Sequence, residues 1–94
     1  MYKDLDPLLH SQLRLAIMSL LVKNRNLDFT TIKGETKSTA GNLSIQLKKL
    51  KTVNYIEINK SFKNNYPLTE VVLTQIGLVA FENYVNSLKN YLEP

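Results

Sequence analysis

Cysteine is missing from this chain and histidine occurs once. Without thiols there is no disulfide framework, no thiol nucleophile and no thiolate metal site, and a lone imidazole cannot form a histidine cluster. The carboxylates are no better placed for chemistry. Asp4, Asp6, Asp28, Glu35, Glu57, Glu70, Glu82 and Glu93 are scattered, and no Ser, His and acid set has a recognisable spacing. The expectation is therefore a protein that is not an enzyme and needs neither metal nor cofactor. Long hydrophobic runs are also absent, and the first ten residues lack the charged, apolar and small-residue order of a signal peptide. A cytoplasmic protein is expected.

What is present is enough for one compact core: 94 residues with 44% hydrophobic content, read as a single domain over 1–94. The net charge of +4 is modest, but it is concentrated. Six lysines (Lys37, Lys48, Lys49, Lys51, Lys60 and Lys63) and one acid, Glu57, fall between 37 and 63, a local +5, while the rest of the chain sums to −1. Such asymmetry marks a surface for a polyanion, set against the alternative of an inert solvated lysine face.

Asp6 and Pro7 form a helix-start signal, and apolar positions Leu9, Leu13, Ala16, Ile17 and Leu20 predict a helix over 7–23. Leu8, Leu15 and Leu21 widen its apolar face enough for two partners. Leu27, Asp28 and Phe29 read as a short extended segment, and Thr30 as the cap of a two-turn helix through Glu35. After a turn at Thr36 and Lys37, residues 38–52 read as a helix capped by Ser38 or Thr39, with Leu43, Leu47 and Leu50 on one face. At 100° per residue the opposite face carries Ser38, Gly41, Asn42, Ile45, Lys48 and Lys49, small residues first and lysines later. Residues 55–60 and 71–73 read as paired strands, with the intervening segment longer than a tight turn and projecting as a loop. Thr74 caps a last helix to about Leu92, whose stripe of Phe81, Tyr84, Val85, Leu88, Tyr91 and Leu92 exceeds what one small chain readily covers.

The fold class is thus mainly α with a small β-hairpin, in the order helix, strand, helix, helix, strand, wing, strand, helix. Particular residues sharpen this. Leu5-Asp6-Pro7-Leu8-Leu9-His10 with Arg14, then Gly41-Asn42-Leu43-Ser44 with Gln46-Leu47-Lys48-Lys49-Leu50, Lys60-Ser61-Phe62, and Tyr66-Pro67-Leu68-Thr69 before Leu73, Thr74 and Gly77 together resemble the compact winged helix-turn-helix transcriptional regulators related to the MarR and ArsR groups. The resemblance covers about 5–92. It implies a dimeric bacterial or archaeal protein on double-stranded DNA, with the third helix in the major groove. Three departures stand out: Gln46 where such proteins often have His, Asn64-Asn65 at a wing tip that commonly carries Arg or Lys, and Thr52-Val53-Asn54 in place of a Gly-containing turn. Asn54 can still adopt the left-handed conformation that ends a helix.

On this basis the DNA-contacting residues of the third helix are Ser38, Thr39, Gly41, Asn42, Ser44, Ile45, Lys48 and Lys49, and those of the wing Lys60, Lys63, Asn64 and Asn65. Asn42 suits adenine, Ser38 or Ser44 a base edge or phosphate, and Ile45 a thymine methyl, while Lys48, Lys49 and Lys51 suit phosphates. A dimer interface of Leu8, Leu15, Tyr84, Leu88, Tyr91 and Leu92 would set two reading helices on an inverted-repeat operator. The function expected is a DNA-binding regulator, a repressor. The alternative is a winged-helix protein-interaction module. His10 reads as structural rather than as a switch, and Tyr55, Tyr66, Tyr84 and Tyr91 as core or interface rather than an effector pocket; no effector is indicated.

Overall fold

The computed structural model describes residues 2–93. Its elements are α1 (Gln12–Asn24), β1 (Asn26–Asp28), α2 (Phe29–Thr36), α3 (Ala40–Thr52), β2 (Ile56–Lys63), β3 (Tyr66–Leu73) and α4 (Gln75–Leu92). The element order is the expected one. The three strands form an antiparallel sheet in the order β1-β3-β2, with Leu27 opposite Val71 and Ile58 opposite Val71 on its other side. Beneath it Leu9, Ile17, Met18, Leu21, Ile32, Leu43, Leu50, Ile56 and Val71 are essentially inaccessible to water. No helix among the described residues is long and apolar enough to cross a membrane.

Helix boundaries follow their caps, and two differ from expectation. Asp6 starts a single turn rather than α1: its backbone oxygen accepts from Leu9 and His10 N–H, its Oδ1 from Leu8 N–H and its Oδ2 from the Tyr55 hydroxyl at 2.6 Å. That distant tyrosine holds the carboxylate, and the chain turns through extended Ser11 before α1 begins at Gln12. The α2 cap is Asp28, not Thr30, with Oδ1 accepting from Thr31 N–H at 2.7 Å. Hydrogen bonds from Thr31, its side chain before its backbone, hold the Asp28 carboxyl below its ordinary value. Thr74 caps α4 as expected, accepting from Gly77 N–H at 2.9 Å.

The turn between α2 and α3 closes on Lys37 in the left-handed conformation (φ 54°), with Ser38 N–H donating to Lys33 O and Lys37 N–H to Gly34 O. Asn54 ends α3 the same way at φ 63°, with Tyr55 N–H donating to Leu50 O and Asn54 N–H to Lys51 O. Both are Schellman closures, and the second is what lets Thr52-Val53-Asn54 dispense with glycine. Gly77 is needed where it stands. A Cβ there would lie 2.1 Å from the Tyr55 carbonyl oxygen, because the first turn of α4 packs directly on the backbone entering β2.

The segment between β2 and β3 is the largest departure. The strands run on through Lys63 and Tyr66, so no loop projects; the hairpin itself does, on a two-residue turn with Asn64 at φ 53° and Asn65 at φ 65°. Positive φ at both central residues is the type I′ signature, whose twist matches that of the flanking strands. The molecule extends to 53 Å along one axis and 25 and 21 Å across the others.

At the opposite end, residues 2–11 lie along α4. The Tyr91 hydroxyl donates to Lys3 O at 2.6 Å, the Tyr2 and Tyr91 rings are 4.9 Å apart, and His10 Nδ1 is 2.9 Å from the Tyr84 hydroxyl. Tyr84, expected in a dimer face, is instead core within the single chain at 4% exposure, because the N-terminal turn and α1 cover it. Tyr66, expected as core or interface, is exposed on the wing.

Candidate nucleic-acid interface

The α3 helix is anchored before it is functional. Thr39 Oγ1 accepts from Asn42 N–H at 3.1 Å, fixing the first turn, and Leu43, Leu47 and Leu50 bury the inner face. This leaves Thr39, Gly41, Asn42, Ser44, Ile45, Lys48 and Lys49 exposed in one frame, with Ser38 half-buried and its hydroxyl 2.8 Å from that of Thr36. Every residue assigned to this helix from sequence except Ser38 therefore faces water. Ile45, 56% exposed, stands in the middle of that face.

Helical geometry divides the face into two edges. On the wing side Ser44, Lys48 and Lys51 join Lys60 and Thr69 around a cleft of about 430 Å³ whose floor is Phe29, Leu47 and Ile58. Three ammonium groups converge here from α3 and β2, the arrangement needed for a phosphate backbone running between a helix and a wing. Lys63 lies farther out on β2 on the opposite face of the ribbon from Lys60, and Asn64 and Asn65 form the exposed turn, far along the ribbon from α3.

On the α1 side a chain of hydrogen bonds reaches Asn42. The Arg14 guanidinium donates through Nε to Leu8 O at 2.6 Å and through Nη1 to Gln46 Oε1. Gln46 Nε2 donates in turn to Asn42 Oδ1 at 3.0 Å. The exposed Asn42 amide keeps one oxygen lone pair and its N–H donors unused among the described residues. Arg14 and Gln46 were not assigned to the site from sequence. Their separation of 32 residues leaves no local signal, although the departure at position 46 is where one ends.

The class defined by this geometry is a winged helix-turn-helix: α2 and α3 joined by a tight turn, followed by a cationic hairpin, on a three-stranded sheet. The profile of the winged helix DNA-binding domain family matches residues 13–92, and the chain belongs to that family. An uncharacterised protein of Methanocaldococcus jannaschii is 34% identical over 76 residues, covering 81% of this chain and 83% of the relative. Among solved structures, a transcriptional regulator homologue from Pyrococcus horikoshii superposes with a TM-score of 0.86 at 27% identity, covering 92% of this chain and 85% of that one. The YusO protein of Bacillus subtilis shares the fold, with a TM-score of 0.74 at 17% identity over 87% of this chain and 57% of its own. Membership in the winged helix DNA-binding domain family, rather than any missing catalytic set, makes the chain a non-enzyme.

Proposed function

We propose that this protein is a dimeric, sequence-specific regulator of transcription, acting as a cytoplasmic repressor on an inverted-repeat operator. The observation that carries it is the α3 face: Asn42 and Ile45 exposed at its centre, Lys49 on one edge, and Lys48, Lys51 and Lys60 gathered around the cleft on the other. In this reading α3 enters the major groove, Asn42 reads adenine and Ile45 a thymine methyl, and the lysines take phosphates. The wing lies on the backbone or minor groove through Lys60, Lys63 and the Asn64-Asn65 turn. Domain family and neighbouring regulators support DNA as partner.

The dimer interface is revised to Leu8, Leu15, Leu88, Tyr91 and Leu92. Tyr91 is 45% and Leu92 71% exposed, and Leu8, Leu15 and Leu88 are half-buried against the core. Sedimentation at micromolar concentration is expected to give a dimer; a monomer removes this part of the reading.

DNA binding is tested by selecting duplexes from a random pool and measuring affinity against salt. Binding should fall linearly with log salt, and Lys48→Ala or Lys49→Ala should each reduce the slope by about one unit. Asn42→Ala should relax preference at one base pair by about 1–3 kcal/mol. Salt-insensitive or absent binding would point instead to a protein partner.

A further inference from the structure

The wing exposes residues of a type that soluble hairpins usually cover. Phe62 is 79% and Tyr66 76% exposed, at the far end of a ribbon whose remaining tip residues are polar. Strand alternation accounts for their directions. Phe62 shares a face with Ile56, Ile58 and Lys60, opposite Pro67, Thr69 and Val71; Tyr66 lies on the other face, opposite Lys63. Inside the protein body that first face is core, with Ile56 and Val71 buried, and further out it lines the cationic cleft beside α3. Phe62 is where the core face runs past the last residue able to cover it.

We propose that Phe62 is an apolar wedge for duplex DNA, inserted from the minor-groove side at a pyrimidine–purine step. This rests on the DNA-binding reading above and specifies what its wing does. Charge complementarity names the occupant: Lys60 on the same face, next to the Lys48 and Lys51 cleft, sets ammonium groups on one side of the ring and Lys63 another on the opposite face, matching a groove whose floor is apolar at an opened step and whose walls are phosphates. Pyrimidine–purine steps unstack most readily, so the wedge confers sequence preference without a base-edge hydrogen bond. Tyr66, on the opposite face, sets its ring against the sugar wall. The Asn64-Asn65 tip then needs no arginine, because the ring rather than a guanidinium enters the groove.

The test uses the full chain and a duplex selected by it from a random pool, labelled with donor and acceptor dyes at its ends. The wild type should shorten the end-to-end distance and enrich a TA or CA step at a fixed offset from the base pairs read by α3. Phe62→Ala should abolish the bend and weaken binding about tenfold with an unchanged salt slope, since no charge is lost. Phe62→Leu, still a wedge, should keep most of both. An unchanged melting temperature in both variants excludes misfolding. If Phe62→Ala binds, bends and selects as the wild type does, or alters only self-association, the wedge is overturned while the DNA-binding reading stands. If the wild type selects no duplex, both fall.

Discussion

The α3 helix and the wing share a charge sign and are built in opposite ways. Leu43, Leu47 and Leu50 hold α3 at 2% exposure or less, Thr39 caps it and Asn54 closes it. Residues 59–67 of the wing are all exposed, held by a two-strand ladder and one turn. A ribbon of that kind is marginal by itself, so it bends where a packed helix does not. Contacts that depend on position therefore belong on α3, and contacts that depend on adaptation belong on the wing.

The sharpest way to break the contrast is to loosen the helix. Leu47→Ala should cost about 3 kcal/mol in denaturant unfolding, whereas Ser61→Ala on the wing should stay within about 0.5 kcal/mol. Equal effects would mean the two elements are supported alike. Smaller in energy but more specific is Arg14→Met, which removes the donor to Gln46 while keeping the stem. It should lower stability by about 1.5 kcal/mol and relax base preference at the Asn42 contact, with the salt slope reduced by less than Lys48→Ala reduces it. Unchanged preference would show that Asn42 orients itself.

Next in size is Tyr55→Phe, expected to cost about 1 kcal/mol at neutral pH through the lost bond to Asp6. Burial, then the hydrogen bond and charge of Asp6, push the Tyr55 hydroxyl from about 10 up to about 12. A folded pKa above the unfolded one means the contribution is complete below pH 10 and is lost as pH rises toward 12. The difference between wild type and Tyr55→Phe should therefore shrink across that window in a pH series of melting temperatures. The smallest effect is expected at the wing turn. Asn65→Gly relieves the positive φ and should stabilise by about 0.5 kcal/mol, read as slower amide exchange in β2 and β3.

Legibility in the sequence followed range. The stripe of Leu43, Leu47 and Leu50, the Thr74 cap and the left-handed Asn54 depend on neighbours three or four residues away, and each stands as expected. The wing reads from sequence as a projecting loop because its apolar and polar residues do not alternate cleanly, whereas the tolerance of Asn64 and Asn65 for positive φ closes it in a two-residue turn. Asp6 looked like a helix cap until Tyr55, 49 residues on, took its carboxylate. Tyr84 looked like an interface residue because helical spacing shows which face is apolar without showing what covers it.

By itself the sequence determined the elements, their order, the apolar face of α3 and the cluster of lysines, since periodicity, capping and charge are properties of short stretches of chain. Only the tertiary structure decided that Arg14 and Gln46 steady Asn42, that Lys60 joins Lys48 and Lys51 over one cleft, and that Phe62 lies beyond the core that covers its face. These are contacts between segments far apart in the chain, and their geometry exists only once the sheet and helices have packed.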